Sequence, residues 1–222
     1  MRFYLTATNK DSERIVANRL SEIGDLVPVS ECDLIVSIGG DGTLLSAGKL
    51  AVKEDKPVVG INAGHLGYLC AFKIEDIDRL TRKDFESLKE TSRTLIEYEG
   101  RIAINDICIL KANPVQSIEV EVDNLAAWKG DGVIFSTATG SSSYNQSAGG
   151  PILDPESSDL LVTPVCPHFS KDGPKQLNVD EIIAHVSGRN KAIIAVDNDL
   201  IGPIEGQVVV RRSFKKLRLL TK

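Results

Sequence analysis

Leu34-Ile35-Val36-Ser37-Ile38 is apolar at four of its five positions. A strand covered on both faces loses the polar alternation of a half-buried one, so this run predicts a buried strand. The next residues change period: Leu44, Leu45, Ala47 and Ala51 recur at helical spacing and predict a helix from Thr43 onward. Pro57 to Ile61 predicts another buried strand. Upstream, Arg2 to Ala7 reads as a strand. Ile15, Val16, Leu20 and Ile23 predict a helix that Asp11-Ser12 caps and Gly24 ends. A short extended piece is expected over 26–29, and a charged helical stretch over 74–90.

The texture changes near Arg93. Strands are predicted over 94–98, 102–110, 117–122, 132–136, 160–164, 181–187, 192–196 and 207–211. Ile118, Val120 and Val122 alternate with Ser117, Glu119, Glu121 and Asp123, the mark of a half-buried strand. No helix is expected among these strands. The fold class is therefore α/β plus all-β: strands alternating with helices give an open, mostly parallel sheet, and an all-β domain follows.

Ligands bind at the carboxyl ends of strands in such open sheets, and both predicted strands there run into glycine loops. Gly39-Gly40-Asp41-Gly42-Thr43 joins the first strand to its helix, and Asn62-Ala63-Gly64-His65-Leu66-Gly67-Tyr68-Leu69 follows the second. Glycine lets backbone amides approach a ligand closely, and a helix start adds positive potential, so the first turn suits phosphate. Asp41 is repelled by phosphate unless it has a chemical task, as a base or as a holder of a metal that bridges the phosphates. The turn fits neither G-x-G-x-x-G nor the P-loop, because five residues separate Gly42 from Gly48-Lys49 and Leu50 follows.

Three stretches of the second half carry polar groups unusual for packing alone. Asn105-Asp106 interrupts the apolar run 102–110. Both are poor strand formers; a β-bulge or a solvated edge would account for them, and if the carboxylate is buried it needs partners, which the adjacent hydroxyls of a ribose would supply. Asp131-Gly132 precedes Val133-Ile134-Phe135-Ser136 and reads alone as a hairpin turn. Thr137-Ala138-Thr139-Gly140-Ser141-Ser142-Ser143-Tyr144, followed by Ser147-Ala148-Gly149-Gly150-Pro151-Ile152, offers hydroxyls, amides and an aromatic face, which suits a nucleotide better than a linker.

Composition narrows the class. A net charge of −5 and a pI near 5.3 argue against a general nucleic-acid or anionic-membrane surface. No apolar run approaches the ~20 residues of a membrane span, and the N-terminal apolar stretch is too short for a signal peptide. The four cysteines form no C-x-x-C pair and the three histidines no H-E-x-x-H. No zinc site is expected, and four buried thiols in a reducing cytoplasm fit best. Arg211, Arg212, Lys215, Lys216, Arg218 and Lys222 read more simply as a solvated face than as a phosphate clamp.

The turn Gly39 to Thr43 resembles a signature shared by NAD kinases, diacylglycerol-type lipid kinases and, more loosely, phosphofructokinases. The order GGDGT, then N-x-G-x-L-G-[FY]-L, then Asn-acid, then D-G-[LV]-I-x-S-T-x-T-G-S-[ST]-x-Y-x-x-S-A-G-G-P-I resembles the NAD kinase family in particular. The resemblance runs from about Asp33 to His168. It implies a Rossmann-like open parallel sheet domain over 1–92, a β-sandwich domain over 93–211, and a last strand, about 212–222, returning to the first. It implies phosphoryl transfer from ATP or polyphosphate to the 2′-hydroxyl of the adenosine ribose of NAD. A divalent metal, Mg²⁺ by preference, would arrive on the donor phosphates, and the working form would be a homodimer or homotetramer.

By the same resemblance Asp41 is the base, and Gly39, Gly40, Gly42 and Thr43 lie near the donor phosphates. Asn105 and Asp106 hold the ribose, and Asp131 meets the nicotinamide end, where a neighbouring chain contributes. Thr139, Ser142, Ser143, Tyr144 and Ser147 line the NAD pockets. The chain departs from the family pattern at Asp106, usually Glu, at Ala138, usually Pro, at Ser142, usually Thr, and at Ser143, usually Ala. Asp197-Asn198 replaces a more usual Asp-Gly. The side chain of Asp106 falls short of Glu by one carbon–carbon bond, ~1.5 Å. Alternatives are a lipid or other small-molecule kinase, which rests on GGDGT alone, and a silent NAD-binding protein, against which Asp41 argues.

Overall fold

The computed structural model describes residues 1–64, 69–188 and 191–222. They form two units, Met1–Ser92 with Lys216–Lys222, and Arg93–Lys215. His65, Leu66, Gly67 and Tyr68 of the second glycine loop lie outside the described residues. Among the described residues no helix is long and apolar enough to cross a membrane.

The first unit contains β1 (Arg2–Ala7), α1 (Lys10–Ile23), β2 (Asp25–Leu26), β3 (Leu34–Gly39), α2 (Asp41–Glu54), β4 (Val58–Asn62), β5 (Phe72–Lys73) and α3 (Arg82–Glu86). The strands run parallel in the order β2-β1-β3-β4. β5 pairs parallel with the end of β4, and Leu219 near the C-terminus pairs parallel with Val58 at its start. Alternate residues of β3, Leu34, Val36 and Ile38, pack with Val16 and Leu20 of α1, while Ile35 is equally buried. The strand is thus apolar on both faces because both are covered.

Several local details differ from the sequence pattern. The cap of α1 is Asn9, whose side chain accepts from the Asp11 and Ser12 amides, so Asp11 and Ser12 are capped residues rather than the cap. Ile15 faces outward. The extended piece over 26–29 gives way to a 3-10 turn at Val29–Glu31. The stretch over 74–90 divides into a 3-10 turn at Ile74–Arg79 and the short α3, then turns into strand at Lys89.

The second unit takes in β6 (Lys89–Tyr98) from Arg93 on, β7 (Arg101–Ala103), β8 (Asp106–Lys111), β9 (Ile118–Val122), β10 (Ala126–Gly130), β11 (Gly132–Ser136), α4 (Tyr144–Ser147), β12 (Leu160–Val165), β13 (Lys175–Leu177), β14 (Glu181–Ser187), β15 (Ala192–Val196), β16 (Asp199–Ile204) and β17 (Gly206–Thr221), the last up to Lys215. One antiparallel sheet has the order β10-β9-β14-β17, and the other β13-β12-β11-β8-β15-β16. Ile118, Val120, Val122, Ile182, Ala184, Val208 and Val210 of the first meet Ile107, Ile109, Val133, Phe135, Val162 and Ile194 of the second in a single core. This is a β-sandwich. A one-turn α4 and a 3-10 turn at Thr139–Ser142 interrupt the strands, where no helix was expected. β10, β13 and β16 are strands the pattern missed.

Asp131-Gly132 is not a hairpin turn. β10 belongs to one sheet and β11 to the other, so the chain crosses the sandwich there. Gly132 has φ +156°, and a Cβ on it would strike the Ile109 carbonyl oxygen. Gly132→Ala is expected to cost about 2 kcal/mol or more through strain and overpacking. A urea midpoint unchanged from the parent would show that the crossing tolerates a side chain.

Candidate nucleotide and phosphate sites

β1 has β2 on one side and β3 on the other, so the connections diverge at the β1/β3 junction, where open sheets bind ligands. The glycine turn follows β3 at this end. Gly39 pairs with Asn62 across β3 and β4, and the Ala63 amide donates to the Gly39 carbonyl at 3.2 Å. Gly40 is the N-cap of α2 and offers no side chain to its amides. Asp41 begins the helix, and its Oδ1 accepts from the Leu69 amide at 3.2 Å. Gly42 is exposed, with open space where a Cβ would stand. Thr43 folds its side chain back against the Gly39 backbone. Among the described residues the turn therefore presents uncovered backbone at the positive end of a 14-residue helix, with the Asp41 carboxylate at its rim. Burial, with the Asp41 charge nearby, pushes the Cys70 thiol up to about 11.

In the second unit the outer face of the β8 sheet carries Asp106, Cys108 and Leu110. Asn105, Asp106, Cys108, Leu110, Ser143, Tyr144, Ala195, Asp197 and Asn198 enclose a cavity of about 290 Å³. Four of the residues singled out in the sequence, Asn105, Asp106, Ser143 and Tyr144, meet here. Thr139, Ser142, Ser147 and Asp131 do not line it. Thr139 is buried, and its hydroxyl has no hydrogen-bond partner among the described residues. Ser142 and Ser147 are exposed. Asp131 is held by Lys111, whose Nζ lies 2.6 Å from its Oδ1, and its amide donates to the Val165 carbonyl at 2.9 Å.

The hydroxyl-rich segment 136–147 divides into two groups. Ser136, Thr137 and Ser141 spend their hydroxyls on backbone carbonyls, Thr137 Oγ1 donating to Ile104 O at 2.6 Å and Ser141 Oγ to Ala138 O at 2.7 Å. Ser142, Ser143, Tyr144 and Ser147 are exposed, although Ser147 Oγ also reaches the Ser143 carbonyl at 3.5 Å. Gly140 lies so close to the Asn105 backbone that a Cβ would collide with its carbonyl.

Two residues missed as site elements organise this region. Asn145, fully buried, donates to the Ser141 and Pro151 carbonyls at 2.8 and 2.9 Å and accepts from Thr163 Oγ1 at 2.6 Å. Nothing in the sequence distinguishes it from Gln146. Asp197, in the turn between β15 and β16 at φ +50°, accepts from three consecutive amides: Ile104 at 3.1 Å, Asn105 at 2.8 Å and Asp106 at 3.3 Å. The break in strand pattern at Asn105-Asp106 was the signal that those amides had to find a partner elsewhere.

Other expectations need correction. Of the four thiols, Cys32 and Cys108 are buried, but Cys70 is half-buried and Cys166 exposed, at the end of β12 with φ +46°. The basic tail is the solvated face expected: Arg211, Lys215, Lys216 and Lys222 are exposed, surface ion pairs join Arg211 to Glu181, Arg212 to Asp180 and Arg218 to Glu90, and Lys222 lies over the Phe72 ring at 5.1 Å.

Asp106 is 6 % exposed. Burial pushes its carboxyl up to about 6, a hydrogen bond from Cys108 opposes this, and Asp197 adds to the rise. A carboxyl raised above its unfolded value of about 3.9 favours the folded chain while protonated. Its contribution is full below pH ~4 and lost as pH rises through ~6, about 2–3 kcal/mol in all. Asp106→Asn should therefore gain stability over the parent between pH 4 and 6.5, the gap levelling above. Ligand-free urea titrations across that range check this, and a gap constant with pH would refute it.

Residues 6–87 match the ATP-NAD kinase N-terminal domain, and residues 104–221 match the ATP-NAD kinase C-terminal domain. An NAD kinase of Sulfurimonas denitrificans is 33% identical over 208 residues, covering 87% of this chain and 73% of that one. An NAD kinase of Chlorobium limicola is 37% identical over 185 residues, but this chain spans only 63% of its length. Among solved structures, an NAD kinase from Archaeoglobus fulgidus in complex with ATP superposes with a TM-score of 0.81 at 25% identity, covering 100% of this chain and 94% of that one. Yeast NADH kinase complexed with NADH has the same fold, with a TM-score of 0.79 at 20% identity, covering 100% of this chain and 83% of that one.

Proposed function

The chain belongs to the ATP-NAD kinase family, and on that premise we propose that it transfers the terminal phosphoryl group of ATP to the 2′-hydroxyl of the adenosine ribose of NAD, giving NADP. The observation that carries this reading is the cavity around Asp106. Asp106, with its buried carboxyl, Asn105 and Tyr144 line one cavity of about 290 Å³, a set suited to vicinal hydroxyls and a flat base. The relative from Archaeoglobus fulgidus, in complex with ATP, supports ATP as donor.

In this reading Asn105 and Asp106 bind the ribose diol, and Asp197 holds their backbone in place. Tyr144, Ser142, Ser143, Ser147 and Thr139 belong to the adenosine end. Gly39, Gly40, Gly42 and Thr43 cradle the donor phosphates with backbone amides at the start of α2. Asp41 takes the proton of the 2′-hydroxyl, the oxygen attacks the γ-phosphorus, and the bond to the β-phosphate oxygen breaks. The products are NADP, ADP and the proton. A divalent ion such as Mg²⁺ suits a turn with one carboxylate, because it keeps several waters and would take its remaining ligands from the substrate phosphates. Asp41 is the residue that would share it. When bound, the ion neutralises charge on the phosphates.

Incubation with NAD, Mg²⁺ and ATP should yield NADP, with polyphosphate in place of ATP as the competing donor arm and diacylglycerol in place of NAD unreactive. Asp41→Asn should lower kcat by ~10²–10⁴ while NAD still binds. A loss below about threefold would be far under that range and would remove Asp41 from the chemistry.

We extend the reading to a symmetric homodimer or homotetramer in which Asp131 meets the nicotinamide end of NAD beside a neighbouring chain. The open edges of β10 and β16 favour closed assembly. Asp41→Asn and Asp131→Ala chains, each impaired alone, should recover part of the activity when co-assembled. Co-purification of differently tagged chains must first show exchange. Mixed assemblies as inactive as their parents would rule out sharing.

A further inference from the structure

Asp106 and Cys108 stand two apart on β8, so both face the cavity. Cys108 Sγ donates to Asp106 Oδ1 at 3.3 Å, and among the described residues it is the side-chain donor to that carboxylate. The pair is buried, with Cys108 only 3 % exposed. Burial and the neighbouring Asp106 push the thiol up, so it keeps the proton it donates.

We propose that Cys108 is a positioning residue for NAD: its thiol occupies one oxygen of the shortened Asp106 carboxylate and turns the other toward the ribose hydroxyls. This rests on the reading that Asp106 holds the ribose. A thiol is a weak donor, so it orients the carboxylate and still leaves it a strong acceptor for the ligand. A carboxylate one carbon shorter than Glu has less reach, and its aim matters correspondingly more. In an apolar replacement the carboxylate has no internal side-chain donor, and its ionised form loses that stabilisation.

The titratable groups facing the pair are Asp197, from the turn between β15 and β16, and Tyr144, from α4. Cys166 and Asp131 act on Tyr144 from the end of β12 and from the β10–β11 crossing. Asp197 and burial oppose ionisation of Asp106, and the thiol favours it. Loss of the thiol therefore moves the acid limb of kcat/KM for NAD to higher pH.

The test is steady-state kinetics from pH 5 to 8 on the full chain and on Cys108→Val, Cys108→Ser and Asp106→Ala. Cys108→Val should raise KM for NAD about three- to tenfold, the worth of one net hydrogen bond, with a smaller change in kcat and an acid limb displaced upward. Cys108→Ser, which restores a donor, should return both toward the parent. If the valine variant fails to melt cooperatively, Cys108→Ala takes its place. A valine or alanine variant with parental KM and acid limb, alongside an Asp106→Ala variant that has lost NAD affinity, overturns the positioning role and leaves the ribose reading intact. Loss of activity in Val and Ser alike, without displacement of the acid limb, marks a packing effect and also overturns it. An Asp106→Ala variant with unchanged KM removes the ribose reading itself.

Discussion

A carboxylate removed from water with one weak donor is costly to hold, and much of the second unit is arranged around that of Asp106. The strand that carries it begins abruptly because Ile104, Asn105 and Asp106 give their amides to a single carboxylate, Asp197, instead of to a strand neighbour. The carbonyl of Asn105 is likewise claimed, by the Thr137 amide at 2.9 Å. Gly140 packs on the same peptide with no room for a side chain. Backbone on both sides of the Asp106 side chain is therefore fixed. Fixed geometry is what lets a short side chain present its oxygens without an entropic cost at each binding event.

The two sites use different materials. In the first unit the phosphate-suited turn is built from backbone: glycines, helix amides and a strand end, with Asp41 supplying a side-chain charge. In the second unit the cavity proposed for the ribose is lined by residues with specific side chains, Asp106, Asn105 and Tyr144 among them. Phosphate is read by amides and a dipole that any helix start possesses. A ribose diol and a base are read by donors and acceptors at particular points, which requires a scaffold of specific side chains behind them. Asn145 and Thr163, both fully buried, are part of that scaffold.

The elements legible in the sequence are those whose cause is local. β3, α2 and β4 stand where unbroken apolar runs and helical spacing put them, since burial on two faces or one stripe leaves its period in the chain. β9 shows the alternation of a strand with one face in the core. The α/β and all-β halves were legible for the same reason. Tertiary structure decided what depends on partners distant in sequence. Asp131-Gly132 has the composition of a hairpin turn and instead crosses between sheets, because β10 and β11 find different neighbours. Asn9 rather than Asp11 caps α1, a choice among adjacent polar residues that only the entry path of the chain settles. Asp197 reaches back across some ninety residues, Asn145 became a hub while Gln146 faced water, and Cys108 met Asp106. Each is a long-range pairing of polar groups. A single polar residue leaves no period in a sequence, and its partner is chosen only when the sheets close.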